Sequence, residues 1–180
     1  KHPIKVDEPP VPCLYYGDPI WFRDFGDNNT FYFARFERGF SSVQLRAVDI
    51  ATGKTRTVIH ERSDTFVDPN LWDMEILTKQ KKGRDVLWFS ERSGWNHIYR
   101  YDAVTGKLKN PVTSGNWLVR YIVDVDQKRG HIYFMDAGRE KNRNPYYTFL
   151  YRVNLDGSGL RLLTPENAPH GVRFSPDHKY

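Results

Sequence analysis

The chain writes one phrase three times, and that repeat constrains its fold more than any other feature. The phrase runs Phe31-Tyr32-Phe33-Ala34, then Gln44-Leu45-Arg46-Ala47-Val48-Asp49, then Thr52-Gly53-Lys54. It returns as Leu87-Trp88-Phe89-Ser90, His97-Ile98-Tyr99-Arg100-Tyr101-Asp102 and Thr105-Gly106-Lys107. It returns again as Ile132-Tyr133-Phe134-Met135, Phe149-Leu150-Tyr151-Arg152-Val153-Asn154 and Asp156-Gly157-Ser158. The turn glycines Gly53, Gly106 and Gly157 thus recur about every 50 residues. A period of that length built from short strands predicts a stacked or radial array rather than one ordinary domain.

The walk between the repeats agrees. Residues 1–29 form a Pro-rich arm with Ile20-Trp21-Phe22 as a strand of an earlier repeat. Blade-like repeats follow at about 30–77, 85–126 and 131–175, each ending on a further strand: Met74–Leu77, Tyr121–Val125 and Val172–Ser175. In Tyr121–Asp126, alternation puts Tyr121, Val123 and Val125 on one face. No stretch spaces apolar residues at helical intervals over ten or more positions. Aromatics make up 15% of the chain, with 13 Gly and 11 Pro to turn it, as half-buried pleated surfaces require. About four strands per period is the module of a β-propeller blade. A β-sandwich also has regular short strands but does not explain whole phrases recurring in register. The expected fold is therefore all-β, a partial β-propeller of about three to four four-stranded antiparallel blades. Three and a half blades do not close a ring, and the chain is read as a piece of a longer protein.

Charge and cysteine content exclude several classes. The net charge of +5 is mild. Its two clusters, Lys79, Lys81, Lys82, Arg84 and Arg139, Lys141, Arg143, sit between strand patterns, as solvated loops do. A nucleic-acid surface needs a basic face interleaved with aromatics, so no nucleic-acid partner is expected. The single Cys13 permits no internal disulfide. No stretch reaches the ~20 apolar residues of a membrane helix.

At Phe89-Ser90-Glu91-Arg92-Ser93-Gly94-Trp95-Asn96-His97-Ile98-Tyr99-Arg100-Tyr101-Asp102 the sequence becomes specific. This phrase resembles one in the N-terminal propeller of the dipeptidyl peptidase IV-like family, serine exopeptidases of the prolyl oligopeptidase clan. His60-Glu61-Arg62-Ser63-Asp64-Thr65-Phe66-Val67-Asp68 and Phe174-Ser175-Pro176-Asp177 resemble the same region. The resemblance implies an eight-bladed propeller that caps a C-terminal α/β-hydrolase domain in cis. That domain carries the catalytic Ser, Asp and His and acts on the N-termini of peptide substrates. It also implies a periplasmic or secreted location. The family's loop that matches Phe66–Asp73 borders the substrate cavity, so the resemblance implies Asn70, Leu71 and Trp72 as cavity candidates. The competing reading packs Trp72 between blades.

The residues themselves carry no catalytic set. A Gly-x-Ser-x-Gly elbow, which exposes the nucleophile on a strained turn, is missing; Gly157-Ser158-Gly159 has the wrong spacing. A triad drawn from Ser90 or Ser93, His97 and Asp102 is disfavoured because Asp102 ends a short strand. The acidic pair that holds a substrate amine in the family matches nothing here: Glu75 and Glu91 are single acids, and Asp7-Glu8 lies in the arm. His170, Asp177 and His178 lack the closed spacing of a metal site, and neither metal nor cofactor is expected. Trp88, Trp95, Tyr99, Tyr101 and Tyr133 are assigned to the core. The chain is thus expected to be a non-catalytic fragment that shapes and gates access to a serine active site. The alternative is a non-enzymatic propeller scaffold that binds proteins. Unpaired blade edges make a homo-oligomer an expectation in either case.

Overall fold

A computed structural model describes residues 3–9, 20–25, 29–68, 73–77 and 84–175. Among them are twelve strands and no helix. Three four-stranded antiparallel sheets account for all the strands, in the orders β1-β2-β3-β4, β5-β6-β7-β8 and β9-β10-β11-β12. The first holds β1 (Ile20–Phe25), β2 (Thr30–Phe36), β3 (Ser42–Asp49) and β4 (Thr55–Arg62). The second holds β5 (Met74–Leu77), β6 (Asp85–Ser90), β7 (His97–Asp102) and β8 (Leu108–Pro111). The third holds β9 (Leu118–Asp126), β10 (His131–Ala137), β11 (Thr148–Asn154) and β12 (Arg161–Leu162). Each sheet follows chain order, so β1, β5 and β9 each open a sheet rather than close the repeat before it.

Burial explains the sequence pattern. The second strand of a sheet has neighbours on both sides and is covered on both faces. Every residue of β6 is buried, and in β10 Ile132, Phe134, Met135 and Asp136 are buried. This is why Asp85-Val86-Leu87-Trp88-Phe89-Ser90 is a near-continuous apolar run without alternation. The fourth strands are wetter: β8 buries none of its residues, and β4 buries only Val58 and Ile59. The alternation expected over Tyr121–Asp126 is absent. Ile122 through Val125 are all half-buried, because β9 slips register against β10 twice, between Tyr133 and Phe134 and between Met135 and Asp136. Each bulge resets which face a side chain takes.

The chain divides into two compact units. One comprises Lys1–Asn70, Glu75–Val86 and Asp102–Lys107; the other comprises Leu71–Met74, Leu87–Tyr101 and Leu108–Tyr180.

Within the first unit, the two Asp-x-x-Thr-Gly-Lys turns are copies of each other. Asp49 Oδ1 accepts the Thr52 amide at 2.8 Å and the Thr52 hydroxyl at 2.9 Å. Asp102 Oδ1 accepts the same two groups of Thr105 at the same distances. The backbone closes identically: Gly53 N–H donates to Asp49 C=O and Gly106 N–H to Asp102 C=O, both at 2.8 Å. Both glycines sit at φ +72°, where a Cβ is strained.

Those turns are also docking points. A Cβ on Gly106 would lie 2.0 Å from the Val58 carbonyl oxygen of β4. A Cβ on Gly53 would lie 2.1 Å from the Lys5 carbonyl oxygen, and Asp7 N–H donates to Gly53 C=O at 2.8 Å. Residues 3–9 therefore meet the Gly53 turn as β4 meets the Gly106 turn. The arm is fastened by Glu8 as well. Its carboxylate accepts Arg35 Nη1 and Arg46 Nη2, each at 2.8 Å. Burial alone would raise the Glu8 pKa, but the hydrogen bonds from Arg46 and Arg35 outweigh it and hold the carboxyl below its ordinary range. The third turn, in the second unit, is one residue shorter and looser: a Cβ on Gly157 would lie 3.0 Å from the Pro111 carbonyl oxygen of β8.

Candidate functional site

Two side-chain clusters of the second unit hold its chemistry. The first is the loop that follows β6, the segment on which the family resemblance rests. Ser90 closes β6, and its Oγ accepts Arg92 Nε at 2.7 Å and the Arg92 amide at 3.2 Å. The guanidinium then lies over the Tyr99 ring, 4.5 Å from its centroid, and donates from Nη1 to the Tyr101 hydroxyl. Tyr99 in turn donates its hydroxyl to Ser93 Oγ at 3.1 Å. A planar, permanently charged fork that also stacks on rings is a job for arginine and not for lysine. Arg92 thus ties the loop to β7. Trp88, Tyr99 and Tyr101 are buried as expected, while Tyr133 is half-buried. Trp95 departs from the expectation: 40% exposed, it stands at the surface at the tight turn around Gly94 (φ +90°).

The second cluster forms where β10 ends and β11 begins, joined by the loop 138–147. Asp136 is fully buried. Its Oδ1 accepts the Phe149 amide at 3.2 Å, the Arg139 amide also favours the charged carboxyl, and its Oδ2 has no partner. Burial pushes its pKa up to about 6; the nearby Glu140 carboxylate adds to the rise, and the two amides oppose it. Glu140 accepts the Tyr151 hydroxyl. Burial first, and that hydrogen bond second, raise the Tyr151 pKa. Trp117 stacks on Phe134 and Tyr151 with centroids 5.9 and 6.4 Å apart. Arg139 lies over the Trp117 and Tyr151 rings at 5.2 and 5.4 Å, and Arg143 over Phe149 at 5.0 Å. The loop is solvent-exposed as expected, and ring stacking orders these two arginines on it. Beside Trp117, edge to face at 4.9 Å, is His97. The Thr113 hydroxyl and His97 Nδ1 are 3.0 Å apart, and His97 Nε2 is 3.0 Å from Gly115 C=O. A neutral ring with its proton on Nε2 satisfies both bonds. Burial accordingly lowers the His97 pKa.

The cavity candidates Asn70, Leu71 and Trp72 lie outside the described residues, as do Cys13, Lys79, Asp177 and His178. The residues weighed as a triad are committed elsewhere. Ser90 serves Arg92, Ser93 serves Tyr99, His97 serves Thr113 and Gly115, and Asp102 serves its own turn. Ser158 of the Gly-Ser-Gly turn donates to Asp156 at 2.6 Å. His170 meets Glu166 C=O at 3.2 Å. Among the described residues, no group of three His, Cys, Asp or Glu is placed to hold a metal ion, and no helix is long and apolar enough to cross a membrane. Sequence reasoning missed the Asp136–Glu140–Tyr151 group. An Asp in the middle of an apolar strand, Met135-Asp136-Ala137, was the available signal.

Comparison with known proteins places the whole assembly. The family model of the dipeptidyl peptidase IV (DPP IV) N-terminal region matches residues 14–180. A dipeptidyl peptidase 4 of Arthroderma otae is 31% identical over 98% of this chain and 22% of that protein. A probable dipeptidyl peptidase 4 of Aspergillus flavus is 30% identical over 77% of this chain and 18% of that protein. The chain therefore spans about a fifth of the length of these relatives. Among solved structures, dipeptidyl peptidase 4 of Porphyromonas gingivalis superposes with a TM-score of 0.66 at 19% identity, covering 86% of this chain and 21% of that one. A putative dipeptidyl aminopeptidase IV from Bacteroides ovatus gives 0.62 at 20% identity, over 82% and 23%. The sheets are those of a β-propeller region, and the chain belongs to the dipeptidyl peptidase IV N-terminal region family.

Proposed function

We propose that this chain is the non-catalytic propeller part of a serine-type dipeptidyl peptidase, where it shapes and gates the access of peptide substrates to an α/β-hydrolase domain in the same polypeptide. The observation that carries this reading is the family match across residues 14–180. The commitment of Ser90, Ser93, His97 and Asp102 to turns and loops supports a scaffolding role. Asn70, Leu71 and Trp72 are proposed to line the substrate cavity. Self-association through sheet edges belongs to the same reading, and light scattering that returns a strict monomer would remove it.

Two proteins test the main claim: the 180-residue chain, and the full-length product of its gene. The chain alone is expected to leave Xaa-Pro chromogenic peptides intact. The full-length protein is expected to cleave them and to be blocked by a serine-directed fluorophosphonate. Turnover by the chain alone that survives repurification and is blocked by the same reagent would overturn the proposal. So would a full-length protein with no fluorophosphonate-reactive serine, which would point to a protein-binding scaffold. In the full-length enzyme, Trp72→Ala is expected to raise KM with kcat little changed; an unchanged KM would put Trp72 outside the cavity.

A further inference from the structure

The Asp136 carboxyl has no part in the function proposed above, and its surroundings are unusual for a structural acid. It is fully buried, yet Oδ2 has no hydrogen-bond partner. A buried carboxylate normally gains enough bonds to offset its desolvation. The one hydrogen bond it receives comes from the Phe149 amide of β11, while the Arg139 amide at the start of the loop also favours its charged form. The charged and titratable groups that face it are Glu140 and Arg139 from the loop and Tyr151 from β11. Its register partner on β9 is the apolar Val119. No ion pair neutralises it, because the Arg139 guanidinium is occupied with the Trp117 and Tyr151 rings.

The loop above it is docked rather than loose. Gly138 and Asn142 take left-handed backbone at φ +82° and +60°. Asn144 accepts the Tyr146 amide on Oδ1 at 3.0 Å and the Tyr147 amide on its C=O at 3.1 Å. Arg139 and Arg143 each lie on a buried ring. The ring contacts of Arg139 and Arg143 and the Glu140–Tyr151 hydrogen bond fasten the loop beside Asp136, and an opening motion would break them together.

We propose that Asp136 is a proton-operated latch for the loop 138–147: protonated, it tolerates its dry site and the loop stays docked; ionised, it draws in water and the loop opens. Burial and the neighbouring Glu140 favour the proton while the loop is closed; on opening, the carboxyl meets water and returns toward an ordinary aspartate. With a closed-state pKa of about 6 against 3.8 in water, opening becomes about tenfold more favourable between pH 5 and pH 8.

Hydrogen exchange on the 180-residue chain tests it. The opening constants of amides in 138–147, after correction for intrinsic base catalysis, are expected to rise about tenfold from pH 5 to pH 8. The Phe149 amide resonance should titrate with the same midpoint. Asp136→Asn should abolish both responses. Glu140→Gln keeps the acid and removes the like charge, so it should move the midpoint down without abolishing it. A wild-type loop whose opening is flat with pH, or a slope that persists in Asp136→Asn, overturns the proposal. If Asp136→Asn does not fold, the Phe149 titration in wild type and its shift in Glu140→Gln decide alone.

Discussion

The turn at Gly106 and the loop after Gly138 both join neighbouring strands of a sheet, yet they are built on opposite terms. In the turn, Asp102 is saturated by Thr105, the backbone closes on itself, and the glycine has no room for a methyl group. In the loop, the glycine takes the same left-handed backbone with nothing within 4 Å of its would-be Cβ. Asp136 Oδ2, Trp117 Nε1 and Arg143 Nη1 are buried there without partners. The repeat conserves docking, and docking leaves no freedom. Around the loop lie the polar groups that the sheet does not satisfy, and those are the groups able to respond to their surroundings.

The largest effect should come from pressing on the docked side. Gly106→Ala meets two costs, a left-handed backbone worth about 1–2 kcal/mol and a Cβ 2.0 Å from a backbone oxygen that cannot move aside. We expect a loss of about 4 kcal/mol or failure to fold. Gly138→Ala meets only the first cost and should lose about 1 kcal/mol. Urea midpoints compare the two. Equal losses would mean that the Gly106 turn can shift off β4, and the contrast between turn and loop would collapse.

Asp136 supplies the next effect, of opposite sign. Its folded pKa lies above its unfolded one, so the folded state holds the proton more tightly. The wild type should be most stable below pH 4 in this respect and lose stability as pH rises to about 6, by about 3 kcal/mol in all. Asp136→Asn should remove that slope. A pH profile of the urea midpoint that keeps it would show that the buried carboxyl is already open to water.

The difference between the two regions is also why one was legible in the sequence and the other was not. A turn such as Asp-x-x-Thr-Gly-Lys is local: the residues that make its hydrogen bonds are within five positions of one another, so the period and the hairpins could be read directly. Sheet membership is not local. Met74–Leu77 looks the same whether it closes one repeat or opens the next, and only its pairing in the second sheet decides. The bulges of β9 broke an alternation that the sequence suggested, because they depend on β10. For the Asp136 group the sequence offered only the lone Asp in an apolar strand: Trp117, Asp136 with Glu140, and Tyr151 come from separate segments, and their juxtaposition is a product of the fold. Trp95 was misassigned because hydrophobicity states what can be buried, not what is.

Arg92 offers a middle case, a local motif with a tertiary partner. Arg92→Lys keeps the charge but loses the fork to Ser90 and Tyr101 and weakens the stack on Tyr99. A cost of about 1–2 kcal/mol is expected, larger than an exposed ion pair would give. If Lys is tolerated without loss, the Ser-Glu-Arg-x-Gly-Trp phrase is kept for something other than the loop clamp.

The smallest effect should come from His97, and it sharpens the contrast by its direction. The ring is held neutral between Thr113 and Gly115, and burial lowers its pKa below the ordinary value of 6.5. The unfolded chain therefore takes up the proton first. Stability should fall as pH drops below about 6.5, opposite to the trend that Asp136 imposes as pH rises through the same window. His97→Gln, which can still donate toward Gly115, should lose this acid sensitivity while keeping the Asp136 slope. The double variant with Asp136→Asn should then keep only the weaker fall in stability toward pH 4 that the lowered pKa values of His131 and Glu8 impose. A double variant as steep toward acid as Asp136→Asn alone would show that His97 is not the group responsible, and replacing His131 would then be the next step.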